Sequence, residues 1–229
     1  MPSAWSRRVR ASAPYAAMSR LRVALASRTF HGSREYWESR YAEHGTSGHG
    51  SYGELAHYKA GFLNSFVRDR HVGSVVEFGC GDGRQLALAD YPSYVGFDVS
   101  PTAVDMCRHR FADDPTKQFL LYDPAVDPGV SAELALSLDV VYHLVEDEIY
   151  EQHLRHLFGA AQRFVILYTS DADDGHPRTA PHVRHRAVQR DIAARFPSWQ
   201  FVERVANPSP FEGVEDDERS WSDFFLYAQ

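Results

Sequence analysis

Glu77, Gly79, Gly81 and Gly83 alternate along "VVEFGCGDGRQL", residues 75–86, and Asp98 follows Glu77 by 21 residues. Glycines in that rhythm let a backbone turn sharply and press its amide N–H groups against a ligand with no side chain in between. An acid at the end of the next apolar run can accept hydrogen bonds from both hydroxyls of a ribose. Two more acids close later apolar runs, Asp123 after "FLLY" and Asp139 after "LALSL", and His143 lies four residues beyond Asp139. Imidazole titrates near neutral pH, which makes His143 a candidate general base that Asp139 could orient. A packing or helix-capping histidine and a turn-capping aspartate are the plainer alternatives.

These residues need elements to position them. Apolar runs bounded by turn residues occur at 74–79, 94–99, 118–123, 132–138 and 163–169, with helical patterns between them. This alternation predicts an α/β chain on a largely parallel sheet. "SPTAVDMCRHRFAD" has Ser100 as N-cap and Pro101 in the first turn, "VEDEIYEQHLRHLFGAAQ" carries its acids early, and "HVRHRAVQRDIAARF" (182–196) reads as a further helix. The runs at 199–205 and 222–228 have no helix between them, which predicts a closing antiparallel hairpin. The expected fold is a Rossmann-like, doubly wound, mostly parallel seven-stranded sheet with a C-terminal antiparallel hairpin. Residues 1–33 read as a basic leader, 34–70 as a helical cap with a glycine-rich loop, and 71–229 as the main domain.

Composition narrows the function. The 229 residues carry a formal charge of −7, yet residues 1–34 hold seven arginines and no acid, leaving the body strongly acidic. Such a body argues against a nucleic-acid partner, while the basic leader reads as a solvated leader, a transit peptide, or a membrane-surface or nucleic-acid arm. Two cysteines, Cys80 and Cys107, form neither a disulfide framework nor a zinc set and suggest a reducing, cytoplasmic compartment. No apolar stretch reaches the roughly 18 residues of a membrane span.

The pattern G-x-G-x-x-G of dinucleotide enzymes is absent, since counting from Gly79 puts Arg84 in the third place. The motif E-x-G-x-G-x-G with Asp98, Asp123 and "LALSLDVVYHLVED" at successive strand ends resembles the class I S-adenosylmethionine-dependent methyltransferases, over roughly residues 70–229. The resemblance implies S-adenosylmethionine as cofactor. Glu77, Gly79 and Gly81, with Gly83 beside them, would hold its methionine part, Asp98 its ribose and Asp123 its adenine, with Ser137, Leu138 and Asp139 near the methionine. His143 would face the acceptor. The connection between first and second strands is short for the family, so the helix after the glycine loop must be brief.

A weaker resemblance, over the whole chain, is to small bacterial methyltransferases that modify glycans and natural products. It implies a small-molecule or glycan hydroxyl as acceptor. A macromolecular acceptor guided by the leader and a non-catalytic binding protein are the alternatives. "TSDADDGHP" places Asp171, Asp173, Asp174 and His176 close in sequence, which could hold Mg²⁺ or be a solvated loop; no dedicated metal motif supports a metal site. His182, Arg184, His185 and Arg186 could contact an anionic substrate group or form a solvated helix face, and the segment 45–59 reads as a lid over the cofactor with Lys59 near its carboxylate, or as a structural loop. Trp37 and Tyr41, four residues apart, fit a core position.

Overall fold

Strands buried on both faces form the centre of the molecule. In the computed structural model, which describes residues 30–172, 180–210 and 219–229, every residue of β1 (Val75–Phe78) is buried, Glu77 included. Near-continuous burial also marks β2 (Tyr94–Asp98) and β4 (Ala132–Leu138), as expected where helices cover both sides of a parallel sheet. With β3 (Lys117–Leu121), β5 (Ala161–Thr169), β6 (Gln200–Val205) and β7 (Asp223–Ala228), they make a seven-stranded sheet in the order β3-β2-β1-β4-β5-β7-β6. Strands β1 to β5 run parallel, whereas β7 pairs antiparallel with both β5 and β6. The doubly wound sheet with its C-terminal hairpin is therefore present as the sequence predicts.

The described residues include five α-helices, α1 (Ser33–Ala42), α2 (Gly53–Asp69), α3 (Pro101–Arg110), α4 (Asp147–Ala160) and α5 (Val188–Arg195). On α2, Leu55, Ala56, Lys59, Ala60, Leu63, Phe66 and Val67 form one buried stripe at helical spacing. One core cluster joins α4 to the sheet through Leu154, Leu157, Phe78 and Val165, and a second joins α2 through Leu63, Val67, Leu134 and Ile166. Helix α3 starts as its sequence prescribes: Pro101 takes the first position and Ser100 Oγ accepts from the Ala103 amide at 3.0 Å.

One helical expectation is met and another requires correction. After the glycine loop there is only a single 3₁₀ turn, Leu86–Leu88, because the chain reaches β2 within a few residues. The helix expected over 182–196 is confined to α5, since tertiary bonds hold the preceding stretch in irregular structure. The Arg184 amide donates to Tyr142 O at 2.7 Å, and the Arg186 guanidinium donates to Leu144 O at 3.0 Å and Asp147 Oδ1 at 2.6 Å. The basic leader up to residue 29, and Asp173, Asp174 and His176, lie outside the described residues. None of the described helices is long and apolar enough to cross a membrane.

Candidate active site

The strand order reverses at β1, which is flanked by β2 on one side and β4 on the other, so the carboxyl ends of these strands diverge into a crevice. A cavity of about 500 Å³ occupies it. Glu77, Gly79, Gly81, Asp98, Asp123, Leu138, Asp139 and His143 all line it, so most of the residues singled out in the sequence meet in one place. Ser137 does not. It is fully buried behind the wall, with Oγ 2.8 Å from His153 Nε2, and it is His153 that reaches the cavity.

The loop after β1 needs its glycines. Gly79 has φ 95° and a Cβ there would fall 2.3 Å from Val140 Cγ2; Gly81 has φ 56° and its Cβ would fall 2.4 Å from Ser47 Oγ. Gly83 instead turns the loop against Cys107 and Phe111 of the α3 segment, outside the cavity wall. The Gly81 amide donates to Asp98 Oδ2 and the Ser100 amide to Asp98 Oδ1, both at 2.9 Å, which aims the carboxylate across the crevice. Burial outweighs these bonds and pushes the Asp98 carboxyl up to about 6. Glu77, which accepts from Tyr94 OH at 2.6 Å, is pushed up to about 7 by burial, with Tyr94 and the Lys59 ammonium opposing the rise. Two desolvated carboxyls thus face the cavity, and a ligand offering donors or positive charge stabilises their ionised forms. Asp123 is exposed at the rim and accepts from the Ala125 amide at 3.0 Å.

Beyond β4 the chain enters a tight turn with Asp139 at φ 58°. Asp139 accepts from Lys59 Nζ at 2.7 Å, Tyr142 OH at 3.0 Å and Ser222 Oγ at 3.1 Å, and no hydrogen bond joins it to His143. The imidazole of His143 is held from elsewhere. Its Nδ1 lies 3.0 Å from His182 O, and because a carbonyl only accepts, Nδ1 carries the proton and Nε2 the lone pair. Trp37 meets the ring edge to face at 4.9 Å and His182 stacks at 5.4 Å. Burial lowers His143 to about 4, keeping it neutral around pH 7. Arg184 and Arg186 are both spent on Asp147, at 2.9 Å and 2.6 Å, and so do not reach into the site for an anionic substrate as their spacing suggested.

The segment ahead of β1 roofs the cavity. Ser33 donates through N to Glu146 Oε1 and through Oγ to His143 O, both at 2.8 Å, tying the start of α1 to the turn after β4. Glu38 accepts from Ser100 Oγ and from Thr102 Oγ1 at 2.7 Å, fixing α1 over the start of α3. Ser47 and Asp82 exchange two bonds, Asp82 N to Ser47 Oγ at 3.0 Å and Ser47 N to Asp82 Oδ2 at 3.3 Å, while Tyr52 OH donates to the same carboxylate at 2.9 Å. Tyr41 is buried as expected while Trp37 is half-buried, and both line the cavity. The sequence signal for Lys59 is its place where the glycine-rich segment 45–59 enters a helix, and the structure sets it in the buried stripe of α2. Tyr122, Gln85 and His153 carried no such signal, because their sequence surroundings are those of ordinary core or turn residues. Among the described residues no group of three His, Cys, Asp or Glu side chains could hold a metal ion.

No protein-family model and no curated protein matches the sequence. Solved structures do. The magnesium protoporphyrin IX methyltransferase from Synechocystis, with S-adenosylhomocysteine bound, superposes with a TM-score of 0.59 at 16% identity, over 76% of this chain and 83% of that one. The N-methyltransferase NodS from Bradyrhizobium japonicum gives 0.58 at 18% identity over 75% and 93%. An O-methyltransferase family protein from Burkholderia thailandensis gives 0.55 at 12% identity over 77% and 57%. The chain has the class I methyltransferase fold.

Proposed function

We propose that this protein is an S-adenosylmethionine-dependent methyltransferase acting on a hydroxyl of a sugar, glycan or other small polar compound. The observation that carries the reading is the convergence of the Gly79–Gly81 loop, Glu77 and Asp98 on one cavity at the reversal of strand order. The donor set fits an unphosphorylated, positively charged nucleoside. Each Asp98 oxygen keeps a lone pair after accepting one amide, the wall carries several acids, and its one buried cation, Lys59, is committed to Asp139 rather than to a phosphate cradle.

In this reading Asp98 holds the ribose hydroxyls, the glycine loop and Glu77 hold the amino-acid end, and Asp123 and Leu138 border the base and the thioether. When bound, the cofactor supplies a methyl group on a sulfonium, activated for in-line displacement. Alignment of two reactants can lower a barrier by about 7–11 kcal/mol, and the roof from α1 with Trp37 and Tyr41 serves that purpose here. His143 takes the proton of the acceptor hydroxyl on Nε2, a task worth roughly 10²- to 10⁴-fold. The His182 carbonyl, rather than Asp139, sets its tautomer.

Calorimetric titration with S-adenosylmethionine and S-adenosylhomocysteine, beside Asp98→Ala, tests the reading. Binding to the wild type and its loss in the variant support it, and a folded wild type that binds neither nucleoside overturns it. The seven arginines of residues 1–34 favour a second reading, a macromolecular acceptor. Deleting residues 1–29 distinguishes the two: turnover of a small acceptor survives, whereas a leader-guided reaction weakens and loses its salt dependence.

A further inference from the structure

His143 stands in the turn after β4, but the carbonyl that fixes its tautomer belongs to His182, 39 residues further on. Residue 182 lies in irregular structure ahead of α5, where no helix or sheet ladder holds that carbonyl in place. Two residues on, the Arg184 amide ties the stretch to Tyr142 O at 2.7 Å. His182 itself is held through its ring. It stacks on His143, with centroids 5.4 Å and planes 21° apart, and more closely on Tyr36 of α1, at 4.1 Å and 12°. Trp37, the next residue on α1, meets Tyr36 and His143 edge to face, at 5.4 Å and 4.9 Å, and closes the four rings into one cluster. Tyr36 is braced in turn: its hydroxyl lies 3.2 Å from His182 Nε2 and accepts from Arg40 Nη1 at 3.3 Å, while Arg40 Nε donates to Thr46 O at 2.6 Å.

Trp37 and His143 line the cavity, whereas Tyr36 and His182 do not. A half-buried pair of stacked rings outside the wall has no part in holding a ligand, and it reaches the site through the bond that His143 makes. A neutral imidazole that loses such an acceptor can carry its proton on Nε2 instead, where no lone pair then remains to take a proton from a hydroxyl. We propose that Tyr36 is a positioning residue for the base: lying flat on His182, it sets the His182 carbonyl against His143 Nδ1 and so keeps the His143 lone pair on Nε2. This rests on the methyltransferase reading above, which gives that lone pair its task. Because Tyr36 belongs to α1, docking of the roof and setting of the base become one event.

The test is long-range proton–nitrogen correlation spectroscopy of the full chain with labelled imidazoles, which separates a protonated ring nitrogen from one that bears a lone pair and requires no ligand. In the wild type His143 should be protonated on Nδ1 alone. Tyr36→Phe keeps the flat ring and should keep that pattern. Tyr36→Leu removes the flat face, and His182→Ala removes the ring while leaving the backbone carbonyl; each should turn His143 into a mixture of its two tautomers. Calorimetry on the same proteins should give affinities for S-adenosylhomocysteine within about twofold of the wild type, because neither ring lines the cavity. A wild-type His143 protonated on Nε2, or a pattern unchanged in Tyr36→Leu (or in His182→Ala, should the first variant fail to fold), overturns the inference and leaves the methyltransferase reading standing. Failure of the wild type to bind S-adenosylhomocysteine overturns that reading, and the inference falls with it.

Discussion

Single residues in this site are set by desolvation more than by their neighbours' charges. An acid whose folded pKa lies above its unfolded value holds more protons folded than unfolded between the two, so it costs stability as pH rises through that interval. For Glu77 the interval runs from 4.5 to about 7. Thermal melts of Glu77→Gln and wild type in the absence of ligand should therefore nearly coincide at pH 5 and separate by pH 8 in favour of the variant, by up to roughly 3 kcal/mol. His143 and His153, lowered by burial to about 4 and about 3, act in the opposite sense below 6.5, but they do so in both proteins and cancel from the difference. His143→Ala should lower turnover of a hydroxyl acceptor by roughly 10²- to 10⁴-fold while leaving the affinity for S-adenosylhomocysteine within about twofold, a split that steady-state kinetics and calorimetry resolve together. The positions of Glu77, Asp98 and Asp139 at strand ends were legible in the sequence because apolar runs and acids are local signals. The partners of Asp139 were not, since Lys59 and Ser222 approach it from 80 and 83 residues away and no periodicity registers such a meeting.

At the scale of elements, what was legible follows burial. Strands covered on both faces read as unbroken apolar runs, and β4 falls on the residues its run marked out. The stretch before α5 misled for a stated reason: its helical spacing is real, but Arg184 and Arg186 gain more from the carbonyls and carboxylate of the neighbouring turn than from an extra helical turn. The glycine loop gives a sharp test. Gly79→Ala forces an L residue to φ 95° and drives its methyl into Val140, so denaturant melts should show a loss of about 1–3 kcal/mol, and adding Val140→Ala should recover only the steric part. Ser100→Ala removes both the cap of α3 and a partner of Glu38, and a loss of about 1 kcal/mol is expected in the same assay.

Across the whole molecule, the site is roofed by the start of the described chain, which folds over the ends of strands that follow it. The roof contributed by residues 31–59 touches the glycine loop, the turn after β4 and the start of α3, and ligand binding should stiffen it. Amide hydrogen exchange in α1 and around Ser47 should slow on addition of S-adenosylhomocysteine, while β6, on the far edge of the sheet and exposed along its length, should not change. The fastening of that roof also orders events in time. Ser33 waits for His143 and Glu146, which follow it by 110 and 113 residues, and at about 5–20 residues per second a ribosome needs roughly 6–22 s to deliver them. The roof can therefore dock only after the turn beyond β4 has been made. Until then Trp37 and Lys59 lack His143 and Asp139, the partners that the turn after β4 brings, so a newly made chain acquires a pocket able to retain a nucleoside only once that turn is in place.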